Sequence, residues 1–151
     1  MTNAAWQARV AGLQRVAFDT NALIYLFEGR EPHTGLVAAA LGRVEQGHAI
    51  GIVSTIVELE LLVRPLRQRD VAFLVRLDLF LRNERNLILR SVDREVARSA
   101  AAIRADTGMK APDALIAATA LVEGCDAIIG NDRDFARRSE VPYLVLDDYV
   151  G

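Results

Sequence analysis

Val16-Ala17-Phe18-Asp19-Thr20-Asn21-Ala22-Leu23-Ile24 holds the change of period on which the fold turns. A short apolar run ends on an acid, and an apolar helical pattern starts at once, from Thr20 to Phe27, stopped at Gly29. The same alternation recurs downstream. Ala49 to Val53 reads as a strand, followed by a helix from Ser54 to Val63 closed by Pro65. Asn86 to Arg90 reads as a strand ahead of a helix from Asp93 to Thr107, opened by Asp93 and ended by Gly108. Asp126 to Gly130 is a strand, Asp132 to Arg138 a helical turn, and Tyr143 to Leu146 a last strand. Further helices are expected over Thr34 to Gln46, Arg67 to Asn83 and Pro112 to Val122; residues 3–13 read as a short helix or a mobile arm. Short apolar strands alternating with helices predict an α/β fold, a parallel sheet covered by helices on both faces. In such sheets ligands gather beyond the carboxyl ends of the strands, where several of these acids fall.

The chain has 151 residues without a linker or internal repeat, which suits a single domain, 1–151. With 52% hydrophobic and 25% charged residues, disorder is excluded. A net charge of -2 excludes nucleic-acid binding by bulk charge, yet the charge is unevenly spread. Ten arginines stand against five acids between Leu61 and Arg104, a local balance of +5 against -7 elsewhere. That tract reads either as a track for a phosphate backbone or as a set of solvated helix faces. Phe73 and Phe80 lie seven apart on an apolar stripe and are expected in the core, whereas Trp6 has no assigned role. Cys125 is the only cysteine, which excludes an internal disulfide and suits a small buried residue in a reducing cytosol. His33 and His48 lack the spacing of a paired metal ligand and are expected at the surface or at helix ends. No apolar run is long enough to span a membrane and Met1 to Arg15 carries no signal-peptide core, so a cytoplasmic location is expected.

Asp19, Asp113 and Asp132 each stand at a strand end or a helix start, and each serves there either as a helix cap or as part of a site. Glu58 differs, because a helical wheel over Ile56 to Arg64 sets it between Leu61 and Leu62 on the apolar side. Facing the core, it needs a salt bridge to an arginine or a bound cation. Four carboxylates in one cleft repel unless protons or cations intervene, and oxygen ligands without His or Cys suit Mg²⁺ or Mn²⁺.

Phe18-Asp19-Thr20-Asn21-Ala22-Leu23-Ile24, Ser54-Thr55-Ile56-Val57-Glu58-Leu59, Ala111-Pro112-Asp113-Ala114-Leu115-Ile116-Ala117-Ala118-Thr119-Ala120 and Asn131-Asp132-Arg133-Asp134-Phe135 occur in an order and at separations that resemble PIN-domain ribonucleases. The likeness is greatest to VapC-type toxins of type II toxin–antitoxin systems. It covers roughly residues 15 to 148, leaving 1–14 as an N-terminal extension that is a mis-called start, a mobile arm or an oligomer contact. The resemblance implies a PIN-like parallel sheet and an acidic pocket binding Mg²⁺ or Mn²⁺, formed by Asp19, Glu58, Asp113 and Asp132. Asp134 is either an accessory ligand or a turn carboxylate; Asn21 and Thr55 orient the carboxylates, unless Asn21 simply caps its helix. Single-stranded RNA is the implied substrate, cut by in-line attack of water to leave a 5′-phosphate and a 3′-hydroxyl. An antitoxin protein whose tail plugs the acidic groove is the implied partner, and an apolar helix pair suits a homodimer. One departure concerns Gly130, which stands where relatives often carry Thr or Ser; the missing hydroxyl predicts weaker metal binding. Two rival classes remain: a PIN-fold RNA- or protein-binding module without catalysis, and a phosphatase with a strand-end Asp nucleophile. The phosphatase wants a second Asp two residues on, where this chain has Asn21.

Overall fold

The computed structural model describes residues 3–151. Among them five strands form one parallel sheet in the order β3-β2-β1-β4-β5: β1 Arg15–Phe18, β2 Ile50–Ser54, β3 Leu87–Arg90, β4 Ala127–Gly130 and β5 Tyr143–Val145. Eight α-helices connect and flank them: α1 Ala4–Ala11, α2 Thr20–Glu28, α3 His33–Glu45, α4 Thr55–Gln68, α5 Val71–Asn83, α6 Arg94–Thr107, α7 Ala111–Val122 and α8 Arg133–Arg138. The expected α/β class and parallel sheet hold. All four residues of β4 are buried, as are three of the four in β1, the burial of strands covered on both faces.

The chain runs outward from β1 through β2 to β3, then crosses back to β4 on the other side of β1. Right-handed crossovers put α6 and α7 on the face opposite α2 to α5, because the direction of travel reverses. The reversal also opens a crevice between the carboxyl ends of β1 and β4, the place where such sheets hold ligands. Asp19 directly follows β1 and Asn131-Asp132 directly follows β4.

Three local readings change. Pro65 does not close α4, which continues to Gln68; Pro65 is itself buried in the last turns, and the helix ends where Arg69 adopts φ 55°. The next helix therefore starts at Val71 rather than Arg67, capped by Asp70, whose side chain accepts from Phe73 N at 3.1 Å. Phe73 and Phe80 are half-buried rather than central, both packed edge-on against Phe27, with Arg76 over the Phe27 ring.

The described part of the N-terminal extension is a seated helix, not a mobile arm; residues 1–2 lie outside the described residues. Trp6 is fully buried, donates Nε1–H to Leu36 O at 2.8 Å and meets Tyr149 edge-on at 4.8 Å. Its apolar area and its satisfied N–H together fix α1 against α3 and the C-terminal turn. No described helix is long and apolar enough to cross a membrane.

Candidate active site

Asp19 owes its position to β1 and its orientation to α2. Its backbone N–H donates to Ile129 O at 2.9 Å, stitching the end of β1 to β4. Its Oδ1 accepts from Thr20 N at 2.8 Å, the N-cap bond of α2, and its Oδ2 accepts from the Tyr143 hydroxyl at 2.5 Å. The capping role and a role in the site thus coincide in one residue. Only 6% exposed, Asp19 has its carboxyl pushed up to about 6, chiefly by burial and further by the charges of Asp113 and Glu60, against the lowering bonds from Tyr143 and Thr20.

Asp113 lies in the first turn of α7, and its carboxyl is also raised, first by burial and then by the charges of Asp132 and Glu60. Lys110, the one lysine in the chain, opposes that shift. Asp132 caps α8, its Oδ1 accepting from Phe135 N at 3.0 Å. The charges of Asp113 and Glu60 thus reach Asp19, and those of Asp132 and Glu60 reach Asp113, across the crevice.

Glu58 is not among them. It does not face the core, since the buried side chains of α4 are Val57, Leu61 and Pro65; it lies half-buried in an open surface hollow with Thr55, Leu59 and Leu62. Glu60, which the helical wheel assigned to the polar side, takes its place: its Oε1 accepts from the Thr20 hydroxyl at 2.6 Å. It also borders, with Asn21, Tyr25 and Arg64, a groove of about 490 Å³ between α2 and α4. The sequence signal for Glu60 lay in the helix itself, because both glutamates flank the buried stripe, on opposite sides.

The expected supporting residues also change partners. Asn21 does not cap α2; its Oδ1 accepts from Asn131 N at 3.1 Å and so holds the loop that carries Asp132. Asn131 in turn donates to the Tyr25 hydroxyl and accepts from Asp147 N. Thr55 orients no carboxylate, because its hydroxyl accepts from Val92 N at 3.2 Å, away from the cluster. Thr20 and Tyr143 are the hydroxyl groups that hold the site's carboxylates, and neither was singled out for that role in the sequence. Asp134 is exposed and ion-paired with Arg137 at 2.6 Å and Arg138 at 3.4 Å, and its charge, like those of Asp132 and Glu60, raises the Asp113 carboxyl.

Elsewhere the bland expectations fit the contacts. His33 opens α3 and meets Asp147 Oδ1 at 2.6 Å, and His48 is exposed. Cys125, expected to be buried, is only half-buried, with its thiol pushed up to about 12 by burial. Within the arginine-rich tract, Arg82 pairs with Asp78, while Arg90 is spent on Asp93, Glu95 and Glu123. Arg64 lines the groove, paired with Glu28 at 3.1 Å.

The cluster consists of hard oxygen donors that carry mutual repulsion, a donor set that fits Mg²⁺ or Mn²⁺ and not a soft metal. Among the described residues, however, no three acidic, histidine or cysteine side chains already converge into a finished metal site.

The PIN domain family model matches residues 16–141. No curated protein sequence matches. In fold, the chain is similar to VapBC2 from Rickettsia felis bound to a DNA fragment from its promoter, with TM-score 0.69 and 16% identity over 87% of this chain and 98% of that one. It is also similar to a toxin–antitoxin complex from Klebsiella pneumoniae, with TM-score 0.66 and 24% identity over 87% and 97%. DNA-bound VapBC from Salmonella typhimurium gives TM-score 0.67 and 18% identity over 88% and 98%. With the family model spanning β1 to β4 and ending just before β5, and the acids standing at the switch point of that sheet, the chain belongs to the PIN domain family.

Proposed function

We propose that the protein is a Mg²⁺- or Mn²⁺-dependent endoribonuclease that cuts single-stranded RNA and serves as the toxin of a toxin–antitoxin pair. The observation that carries this reading is the placement of Asp19 and Asp132 at adjacent strand ends, tied by the Tyr143 hydroxyl, with Glu60 held beside them by Thr20 and Asp113 at the start of α7. A cluster that costs stability when ionised is a place built to receive positive charge. A divalent ion, when bound, would supply Lewis-acid stabilisation of the charge that develops on a phosphodiester during in-line attack. The protein's own part is positional. Asp19 and Asp132 would hold the ion from two adjacent strand ends, Asp113 from the start of α7, and Glu60 from α4, steadied by Thr20. Asn21 fixes the β4 loop so that Asp132 keeps its place relative to Asp19. The groove bordered by Asn21, Glu60 and Arg64 leads to the cluster and would admit an extended strand.

Two features support a protein partner. Leu59, Val63 and Leu66 on α4, and Val71, Val75 and Leu79 on α5, are exposed apolar side chains at helical spacing, suited to covering by an antitoxin or by a second copy in a homodimer. The similar structure from Klebsiella pneumoniae is a toxin–antitoxin complex, which favours the antitoxin. A cytoplasmic site of action goes with an RNA substrate.

The test is cleavage of an unstructured RNA with Mg²⁺ or Mn²⁺ by the parent, Asp19→Asn and Glu60→Gln. Cleavage by the parent alone is the expected result. Equal cleavage by all three would sink the assignment. The second reading is a PIN-fold binding module, favoured by the absence of a finished three-ligand constellation among the described residues. Tight RNA binding by the parent without any cleavage would select it.

A further inference from the structure

Gly130 ends β4, and its backbone does not require glycine, since it is not among the residues with positive φ. Space requires it. A Cβ at position 130 would lie 2.0 Å from the Tyr143 hydroxyl oxygen, 2.7 Å from Tyr143 Cζ and 2.8 Å from Asp19 Cβ. The volume that a side chain at 130 would need is filled chiefly by a phenol reaching across from the neighbouring strand, and at its edge by Asp19 Cβ. Tyr143 is the first residue of β5 and pairs with Ile128 of β4.

The phenol is placed with care. Its hydroxyl donates to Asp19 Oδ2 at 2.5 Å and accepts from Asp132 N at 3.2 Å, so one oxygen ties together the acids at the ends of β1 and β4. The ring rests on Phe135, 4.8 Å between centroids, and Phe135 is buried and bonded through its own N–H to Asp132 Oδ1. Acid, cap, ring and hydroxyl thus form one closed set of contacts. The hydroxyl missing from position 130 is supplied from position 143.

Resting on the nuclease reading, we propose that Gly130 and Tyr143 are a matched pair in which the tyrosine is a positioning residue for Asp19 and Asp132 and the glycine exists to admit it. The hydroxyl comes from the strand beside the one that bears Asp132 and is held by an aromatic stack on Phe135. Tyr143 touches no reacting atom; it acts by fixing the Asp19 carboxylate against the backbone that carries Asp132.

The experiment combines RNA cleavage with thermal melting on the full chain. Tyr143→Phe keeps the ring and removes the hydroxyl. Its kcat is expected to fall about 10- to 100-fold with KM nearly unchanged, and the Mn²⁺ concentration for half-maximal activity is expected to rise. A purely structural tyrosine would lower the melting temperature and leave the metal requirement alone. Gly130→Ser alone should melt well below the parent, because the phenol occupies its space. Gly130→Ser combined with Tyr143→Leu should recover the part of the stability that the phenol takes away, while the close approach to Asp19 Cβ remains, a favourable coupling in a double-mutant cycle of melting. Parental kcat and metal requirement in Tyr143→Phe, or additive effects in the cycle, would overturn the proposal while leaving the nuclease assignment intact. If the parent cuts no RNA, and so matches Asp19→Asn, the nuclease assignment fails instead. The pair then stands on the melting cycle alone, where coupling supports it and additivity overturns it.

Discussion

Glu58 and Glu60 lie two residues apart on α4 and meet opposite surroundings. Glu60 faces α2, accepts from the Thr20 hydroxyl and shares the electrostatics of Asp19 and Asp113. Glu58 faces the other flank, in an open hollow with Leu59 and Leu62 and no hydrogen bond to the acidic cluster. One flank belongs to the crevice, while the other joins the exposed apolar stripe of Leu59, Val63 and Leu66. The difference teaches that nearness to the buried stripe does not decide which carboxylate of this helix reaches the crevice. A carboxylate near the apolar arc needs no cation when the arc beside it is open to water.

Exchanging each glutamate tests that division most strongly. Glu60→Gln is expected to lower kcat/KM for RNA on the order of 10³-fold, since it removes charge aimed at the reacting centre. Glu58→Gln should stay within about twofold; a comparable loss in both would erase the distinction between the flanks.

A next smaller effect concerns the charge the crevice stores. With its carboxyl raised from 3.8 to about 6, Asp19 favours the folded state most when protonated. In chelator, the parent's stability measured against Asp19→Asn should therefore be highest below about pH 4 and fall as pH rises through about 6, by about 3 kcal/mol in all. Denaturant melts at several pH values would read it. A difference that rises with pH instead would mean that Asp19 is stabilised as an anion and that the crevice holds no stored repulsion.

The hydroxyl groups beside the two glutamates should give the smallest effects. Thr20→Val removes the donor to Glu60, and kcat is expected to fall about 10-fold with little change in melting. Thr55→Val, on the other flank, leaves Val92 N without its acceptor and should cost about 1 kcal/mol of stability with activity unchanged. A catalytic defect in Thr55→Val would restore to that residue the orienting role expected from its place in the motif.

Much of this was legible in the chain order. The run Val16-Ala17-Phe18-Asp19 and the run Ala127-Ile128-Ile129 announced two buried parallel strands ending at acids, and Asp93 announced its helix start correctly. Pro65 misled, because a proline near the end of a helix loses one bond and can still be buried where the next element packs. Trp6 carried no period to reveal that it would dock on Leu36 O, thirty residues away.

The sequence by itself determined the parallel α/β sheet and the two strand-end acids Asp19 and Asp132. Local period and residue type suffice for these, because each depends on neighbours within one turn or one strand. The tertiary structure alone decided which glutamate borders the crevice and which hydroxyl reaches Asp19. With Val57, Leu61 and Pro65 buried, Glu58 lies about 60° to one side of the stripe and Glu60 about 100° to the other, at about 100° per residue. A wheel ranks those positions by distance from the core. It cannot say which side α2 will occupy, and α2 and β5 bring Thr20 and Tyr143 to their carboxylates from 40 and 124 residues away.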